Sequence, residues 1–206
     1  MKARISFAGV LALGMVILAS VAMGDEKGKK AAKAGPPDEK AMMEAMTKAA
    51  TPGDAHKKLE SMIGTWDTKV TMWMDPSKPP AESTGTSENR WVLGNRYVQQ
   101  TFEGTFMGQP FSGIGYTGYD NIGKKYMGTW MDTGSTEMMN MTGKSDAAGK
   151  VMTFAGTMND PMTGKACKLT SKVTVADNDH HTMEMWGPDP SGKVYKMMEI
   201  TYVRKK

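Results

Sequence analysis

From Gly64 onward the hydrophobic positions recur with a period of two. Trp66, Thr68, Val70, Met72 and Met74 fall on one side of an extended chain, and Asp67, Lys69, Thr71 and Trp73 on the other. This is the alternation of a half-buried strand. The same period returns at about 83–93, 95–107, 109–119, 124–133, 136–145, 150–159, 165–177, 181–187 and 193–204, so ten short strands are expected with no helix among them. Turn formers separate them, as in Leu93-Gly94-Asn95, Asp120-Asn121-Ile122-Gly123, Asp160-Pro161-Met162-Thr163-Gly164 and Asp189-Pro190-Ser191-Gly192. Connections this tight require antiparallel neighbours, because a parallel crossover takes a dozen or more residues. A long meander left open exposes two edges, and closing it removes them. The expected fold is all-β: an up-and-down antiparallel β-barrel of about ten strands. A Greek-key sandwich would need long crossing connections, and none is visible.

Ahead of the strands the period is helical. Asp38 and Glu39 suit the positive end of a helix dipole, Met42, Met43 and Met46 share a face, and Thr51-Pro52-Gly53 ends the segment. A second short helix is expected from about Pro52 to Met62, with Leu59, Met62 and Ile63 as its apolar side. Residues 25–37 are Lys, Ala, Gly and Pro without apolar periodicity, which is the composition of a flexible linker. Residues 1–24 have the pattern of a signal peptide: Lys2 and Arg4, an apolar run from Ile5 to Leu18, and small residues around Ala22. The apolar run is short for a membrane span of ~20 residues. The organisation expected is therefore signal peptide 1–24, linker 25–37, helical segment 38–63 and barrel 64–206. The chain is expected to be exported, periplasmic or secreted, with no transmembrane span after cleavage.

Several ordered motifs resemble one family. They are His56-x-x-Leu59 leading to Gly64-Thr65-Trp66, Leu93-Gly94-Asn95-Arg96-Tyr97, and Gly113-Ile114-Gly115-Tyr116-Thr117-Gly118-Tyr119-Asp120. Tyr126-Met127-Gly128-Thr129-Trp130-Met131-Asp132 and Glu199-Ile200-Thr201-Tyr202 complete the series. Over roughly residues 38–206 the chain resembles the family catalogued as domain of unknown function 1579. The resemblance implies a calycin-type barrel, related in shape to lipocalins, fatty-acid-binding proteins and nitrobindin-like haem barrels, and it implies no catalytic residues. Gly64-x-Trp66 is similar to the glycine–tryptophan signature of calycins, in which the Trp closes one end of the barrel.

Charge excludes one class of partner. The chain carries 26 basic and 22 acidic residues, for +4. Losing Lys2 and Arg4 with the leader brings this to +2, too little to argue for nucleic acid. Candidate chemistry is equally sparse. Gly113-x-Gly115-x-x-Gly118 matches the dinucleotide fingerprint, but it lies inside an alternating strand with no helix after it. Its glycines are better explained by barrel curvature. The histidines are His56, His180 and His181; the adjacent pair point to opposite faces of a strand and do not converge on a metal. There is no G-x-S-x-G elbow, and Cys167 is the single cysteine, with no histidine partner evident. No catalytic residue, metal ligand or cofactor is assigned.

The 22 methionines are the compositional outlier. Thioethers are soft ligands that select Cu(I). After the leader, however, only three leucines and four isoleucines remain, so methionine is the large aliphatic residue available to fill a barrel. Barrels of this size can hold one small molecule, and the candidate contacts are Trp66, Arg96, Gln100, Tyr116, Tyr126 and Trp130. Tyr126, Gly128, Trp130 and Asp132 share a face, as do Arg96, Val98, Gln100 and Phe102. Alternation alone does not say whether the latter set or Tyr97, Gln99 and Thr101 turns inward. The function expected is a non-enzymatic exported barrel whose partner is a small apolar or amphipathic ligand. The alternatives are an envelope interaction module with a filled barrel, docking through Trp73 or Trp186, and a haem- or Cu(I)-binding protein.

Overall fold

A computed structural model describes residues 38–206; the signal peptide and linker expected over 1–37 lie outside the described residues. Helix α1 spans Glu39–Ala50, started by the Asp38 carboxylate, which accepts from the Lys40 backbone N–H at 2.7 Å. None of its residues is buried, and Met42, Met43 and Met46 face solvent rather than the barrel. What holds α1 is its C-terminal end, where carbonyls lack helical partners. The Asn121 amide donates to the carbonyls of Ala49 (3.0 Å) and Thr51 (2.8 Å). The second helix expected over 52–62 is broken into a single turn, α2 (Asp54–Lys57), and a 3-10 turn over Glu60–Met62.

The rest of the chain is ten strands: β1 (Gly64–Met72), β2 (Ala81–Val92), β3 (Tyr97–Phe106), β4 (Gln109–Asp120), β5 (Lys125–Asp132), β6 (Met139–Ser145), β7 (Val151–Asn159), β8 (Ala166–Val175), β9 (His180–Pro188) and β10 (Val194–Arg204). Each pairs antiparallel with the next, and β10 pairs with β1 to close the barrel, in register from Trp66↔Arg204 to Met72↔Met198. The closed sheet has no free edge.

The two ends of the barrel differ. One is plugged by the segment from α2 to Ile63. Leu59 is fully buried there and packs with Val98, Tyr126, Met152 and Val173, with Ala55, Met62 and Ile63 around it. Side chains of the wall then bond the plug's backbone: Tyr126 to the Ala55 carbonyl (2.8 Å), Trp66 and Asn89 to Met62 (3.0 and 2.9 Å), and Arg204 to Ile63 (2.8 Å). The opposite end carries the turns that follow β1, β3, β5, β7 and β9, and among the described residues no plug segment lies there.

The glycine fingerprint lies wholly within β4, which continues to Asp120 and runs into a hairpin, so no helix N-terminus meets it. Curvature is not what its first two glycines provide. A Cβ on Gly113 would collide with the Trp130 indole, and one on Gly115 would come within 2.9 Å of it. Trp130, from β5, lies flat across the two.

Candidate functional site

Register and burial identify the inward face. On β1 it is Trp66, Thr68, Val70 and Met72; on β3, Val98, Gln100 and Phe102; on β5, Tyr126, Gly128, Trp130 and Asp132. The strand pairing thus settles the register that alternation left open: Tyr97, Gln99 and Thr101 face out.

The floor of the lumen is built on Trp66, which is 0% exposed. The Arg204 guanidinium stacks 4.1 Å from its ring centroid on the plugged side. There its N–H groups go to the Ile63 and Asn178 carbonyls and the Asp179 carboxylate. The buried His181 meets Trp66 edge-on, with centroids 4.3 Å apart, and stacks on Tyr202 at 4.2 Å and 14°. Burial drives the His181 imidazole down to about 4, with the positive charge of Arg204 adding to the effect. The imidazole is thus neutral at ordinary pH. Burial likewise pushes the Tyr202 phenol up to about 12.

Beside this aromatic stack runs a polar chain. Gln100 donates to the Ser87 hydroxyl at 2.9 Å, Ser87 donates to the Asn89 amide oxygen at 3.1 Å, and Asn89 donates to the Met62 carbonyl. Two buried polar atoms on the same floor have no partner: Thr68 Oγ1 and His181 Nδ1. Their residues flank Tyr202 in one cross-strand row. Unpaired groups of this kind each cost about 1–3 kcal/mol unless something bonds them.

Toward the open end the wall changes character. From β6 round to β1 it carries methionines, including Met141, Met158, Met185 and Met72, and from β3 to β5 it carries Phe102, Phe111 and Trp130. Met72, Phe111, Trp130, Met158 and Met185 are half-buried, while Phe102, Met141 and Leu169 are buried. Facing the plug, Trp66, Val98, Tyr126, Met152 and Val173 are buried and Trp91, Tyr119, Phe154 and Met183 half-buried. Among the described residues the only inward carboxylate in this half is Asp132, which accepts from the Trp130 indole at 2.8 Å and the Gly134 N–H at 2.9 Å.

Of the six residues singled out from sequence, four line the lumen: Trp66 and Tyr126 at the plugged end, Gln100 in the polar chain, and Trp130 on the aromatic wall. Two do not. Arg96 lies in the turn before β3, exposed, and donates to the Leu93 carbonyl at 3.0 Å. Tyr116 is on the outer face, because alternation on β4 gives the inside to Gly115 and Thr117; its hydroxyl accepts from Gln99 at 2.6 Å. Sequence reading missed Thr68, His181, Tyr202 and Arg204 as the floor. The available signal was their register across the chain ends, which alternation within one strand does not contain.

The histidines separate as their adjacency demands. His180 is exposed and paired with Asp177 at 2.9 Å, while His181 is inside. Among the described residues no group of three His, Cys, Asp or Glu converges, and no helix is long and apolar enough to cross a membrane. Trp73 and Trp186 lie on the outer wall under the ammonium groups of Lys196 (5.3 Å) and Lys172 (5.7 Å). A surface groove of about 660 Å³ runs between α1 and Asn121, away from the lumen.

Comparison with solved structures returns other barrels. The chain resembles Rv2717c from M. tuberculosis with a TM-score of 0.58 at 15% identity, covering 76% of this chain and 100% of that one. It resembles a redesigned beta barrel, b11L5F_LGL, with a TM-score of 0.40 at 16% identity, covering 72% and 96%. A third match, EF1p2_mFAP2b bound to DFHBI, has a TM-score of 0.41 at 11% identity, covering 73% and 98%. At these identities the likeness to Rv2717c speaks for the fold alone. No curated protein matches the chain. One family model does, over residues 51–204, from the loop before α2 to the last residue of β10; the chain belongs to the family described as Protein of unknown function (DUF1579).

Proposed function

We propose that this protein is an exported, non-enzymatic barrel that takes one small, uncharged amphipathic molecule into its lumen through the unplugged end. Export is supported by the leader pattern of residues 1–24. The non-enzymatic reading rests on the sequence, which carries no recognisable catalytic constellation. The observation that carries the ligand reading is the gradient in the balance of burial along the inward face. The most deeply buried wall side chains cluster on Leu59 and Trp66 at the plug, while Met72, Phe111, Trp130, Met158 and Met185 toward the other end are half-buried. Such a gradient belongs to a cup rather than to a barrel filled from end to end.

The chemistry of the cup supports the ligand class. Its wall is thioether and aromatic, and beneath the floor surface Thr68 Oγ1 and His181 Nδ1 are buried without partners, within reach of a head group only if the side chains over them give way. A hydroxyl, carbonyl or amide head would bond these groups while an apolar tail lay along the wall. A carboxylate head would be desolvated with no counter-charge in contact, since Arg204 stacks on the far side of Trp66 with its Nε and Nη1 bonded there.

The test is displacement of the neutral fluorescent probe N-phenyl-1-naphthylamine from the purified chain. Dodecanol is expected to displace it at least about tenfold more tightly than dodecanoate, a difference of about 1.4 kcal/mol. Mass spectrometry of small molecules co-purifying from the native host identifies the natural ligand. Absence of saturable probe binding would refute the cup.

A further inference from the structure

We propose that the open half of the lumen contains a Cu(I) site formed by the thioethers of Met72, Met185, Met197 and Met198, at the seam where β10 joins β9 and β1. Three of these sit in one cross-strand row: Met198 pairs directly with Met72 on β1 and with Met185 on β9. Direct antiparallel partners hold their Cβ atoms about 4.5–5.5 Å apart. All three side chains point inward, because Trp66, Thr68 and Val70 precede Met72 on the same face, and His181 and Met183 precede Met185. Three flexible thioethers at that spacing can meet on a single ion.

The fourth arrives through an irregularity. The β9–β10 register shifts between Lys196 and Met198, so Met197 is the extra residue of a bulge. Bulges re-aim side chains and gather beside functional sites. Here Met197 turns to the same side as Met198: its sulfur occupies the space a Cβ on Gly187 would take, beside the inward, buried Leu169. Gly187, two residues from Met185 on β9, is therefore the vacancy that admits Met197.

Core filling accounts for only part of this quartet, since Met72 and Met185 pack against neither buried cluster. Met141 and Met152 fill the core and are buried, and half-buried residues such as Met62 and Met183 pack against its clusters. All four members of the quartet are half-buried, and only Met198 packs at the edge of a buried cluster. Soft, neutral sulfur donors with no imidazole or carboxylate among them select Cu(I) over Zn(II) and Cu(II). No convergent His, Cys, Asp or Glu set competes elsewhere among the described residues. The copper site does not rest on the ligand reading, although its sulfurs belong to the wall along which a bound tail would lie.

The test is an anaerobic competition between the purified full chain and the Cu(I) chelator bicinchoninate. One ion per chain is expected. Met198→Leu, which conserves volume, should weaken binding at least about tenfold, the lower end of what even a ligand's neighbours contribute. Met72→Leu and Met185→Leu should act in the same direction, with thermal unfolding verifying that each variant is folded. Replacing Met42, Met43 and Met46 on α1 together by Leu should change nothing. Because thioethers are not protonated, affinity should be the same at about pH 5.5 and 7.5, whereas thiolate or imidazole ligands would lose copper on acidification. Unchanged affinity in Met198→Leu, loss of binding in the α1 triple variant, or an acid-labile site would each overturn the proposal.

Discussion

The imidazole of His181 has Tyr202 against its face and the Trp66 edge beside it, and its Nδ1 is buried without a partner. Such a group couples stability to pH. In the unfolded chain it takes a proton near its ordinary 6.5, and in the fold only at about 4. Between those values the unfolded state binds the extra proton, so stability is full above pH 6.5, falls as pH drops through the window, and levels off below it. The interval is worth about 3 kcal/mol. His56 is also held below its ordinary value by burial and pulls in the same direction. The variant His181→Phe keeps the aromatic stack and removes the titration. Urea unfolding at pH 7 and at about pH 4.5 should show a smaller acid-induced loss in the variant than in the parent. Equal losses would mean that other groups set the acid limit.

At the level of elements, alternation was a reliable guide where each strand has one apolar and one polar face. β1 shows why: Trp66, Thr68 and Val70 against Asp67 and Lys69 permit only one orientation. β4 was harder to orient, because Gly113 and Gly115, which carry no side chain, hold the inward positions while Tyr116 offers an aromatic on the outside. The bulge at Met197 was invisible for a different reason: with two adjacent methionines in Tyr195-Lys196-Met197-Met198, either one can hold the inward position and both periods stay readable. Arg96 misled because its turn ends two residues later than the alternation suggests, with β3 starting at Tyr97 rather than at 95. The β3–β4 hairpin has a strain that sequence alone also conceals. Its two-residue turn places Met107 at φ 51° and Gly108 at φ 77°, the mirror-image geometry that Asn-Gly adopts most readily. A methionine there bears a left-handed penalty of about 1–2 kcal/mol, and its side chain is 73% exposed, so no packing offsets it. Met107→Asn should therefore stabilise the protein by about 1 kcal/mol, seen as a rise of about 2–4 °C in thermal midpoint. A lower midpoint would mean that the Met107 side chain makes a contact the exposed turn does not suggest.

For the molecule as a whole, the decisive feature is that a sheet without edges has nowhere to begin fraying. Every strand is bonded on both sides, and the last ladder, β1 with β10, joins the two ends of the barrel segment. The plug shares in this closure. Leu59 packs against residues of β3, β5, β7 and β8, while Tyr126, Trp66, Asn89 and Arg204 reach in from the wall to its backbone. Plug and barrel should consequently unfold as one unit, with α1, which buries nothing, as the exception. Leu59→Ala tests this directly. Truncating a fully buried leucine costs about 2–5 kcal/mol. Because the cavity opens where four strands converge, amide hydrogen exchange should accelerate in all ten strands by a common factor, while α1 amides, already exchanging by local opening, keep their rates. Faster exchange confined to residues 54–63 would show instead that the plug opens independently of the barrel, and would make that end a second route into the lumen.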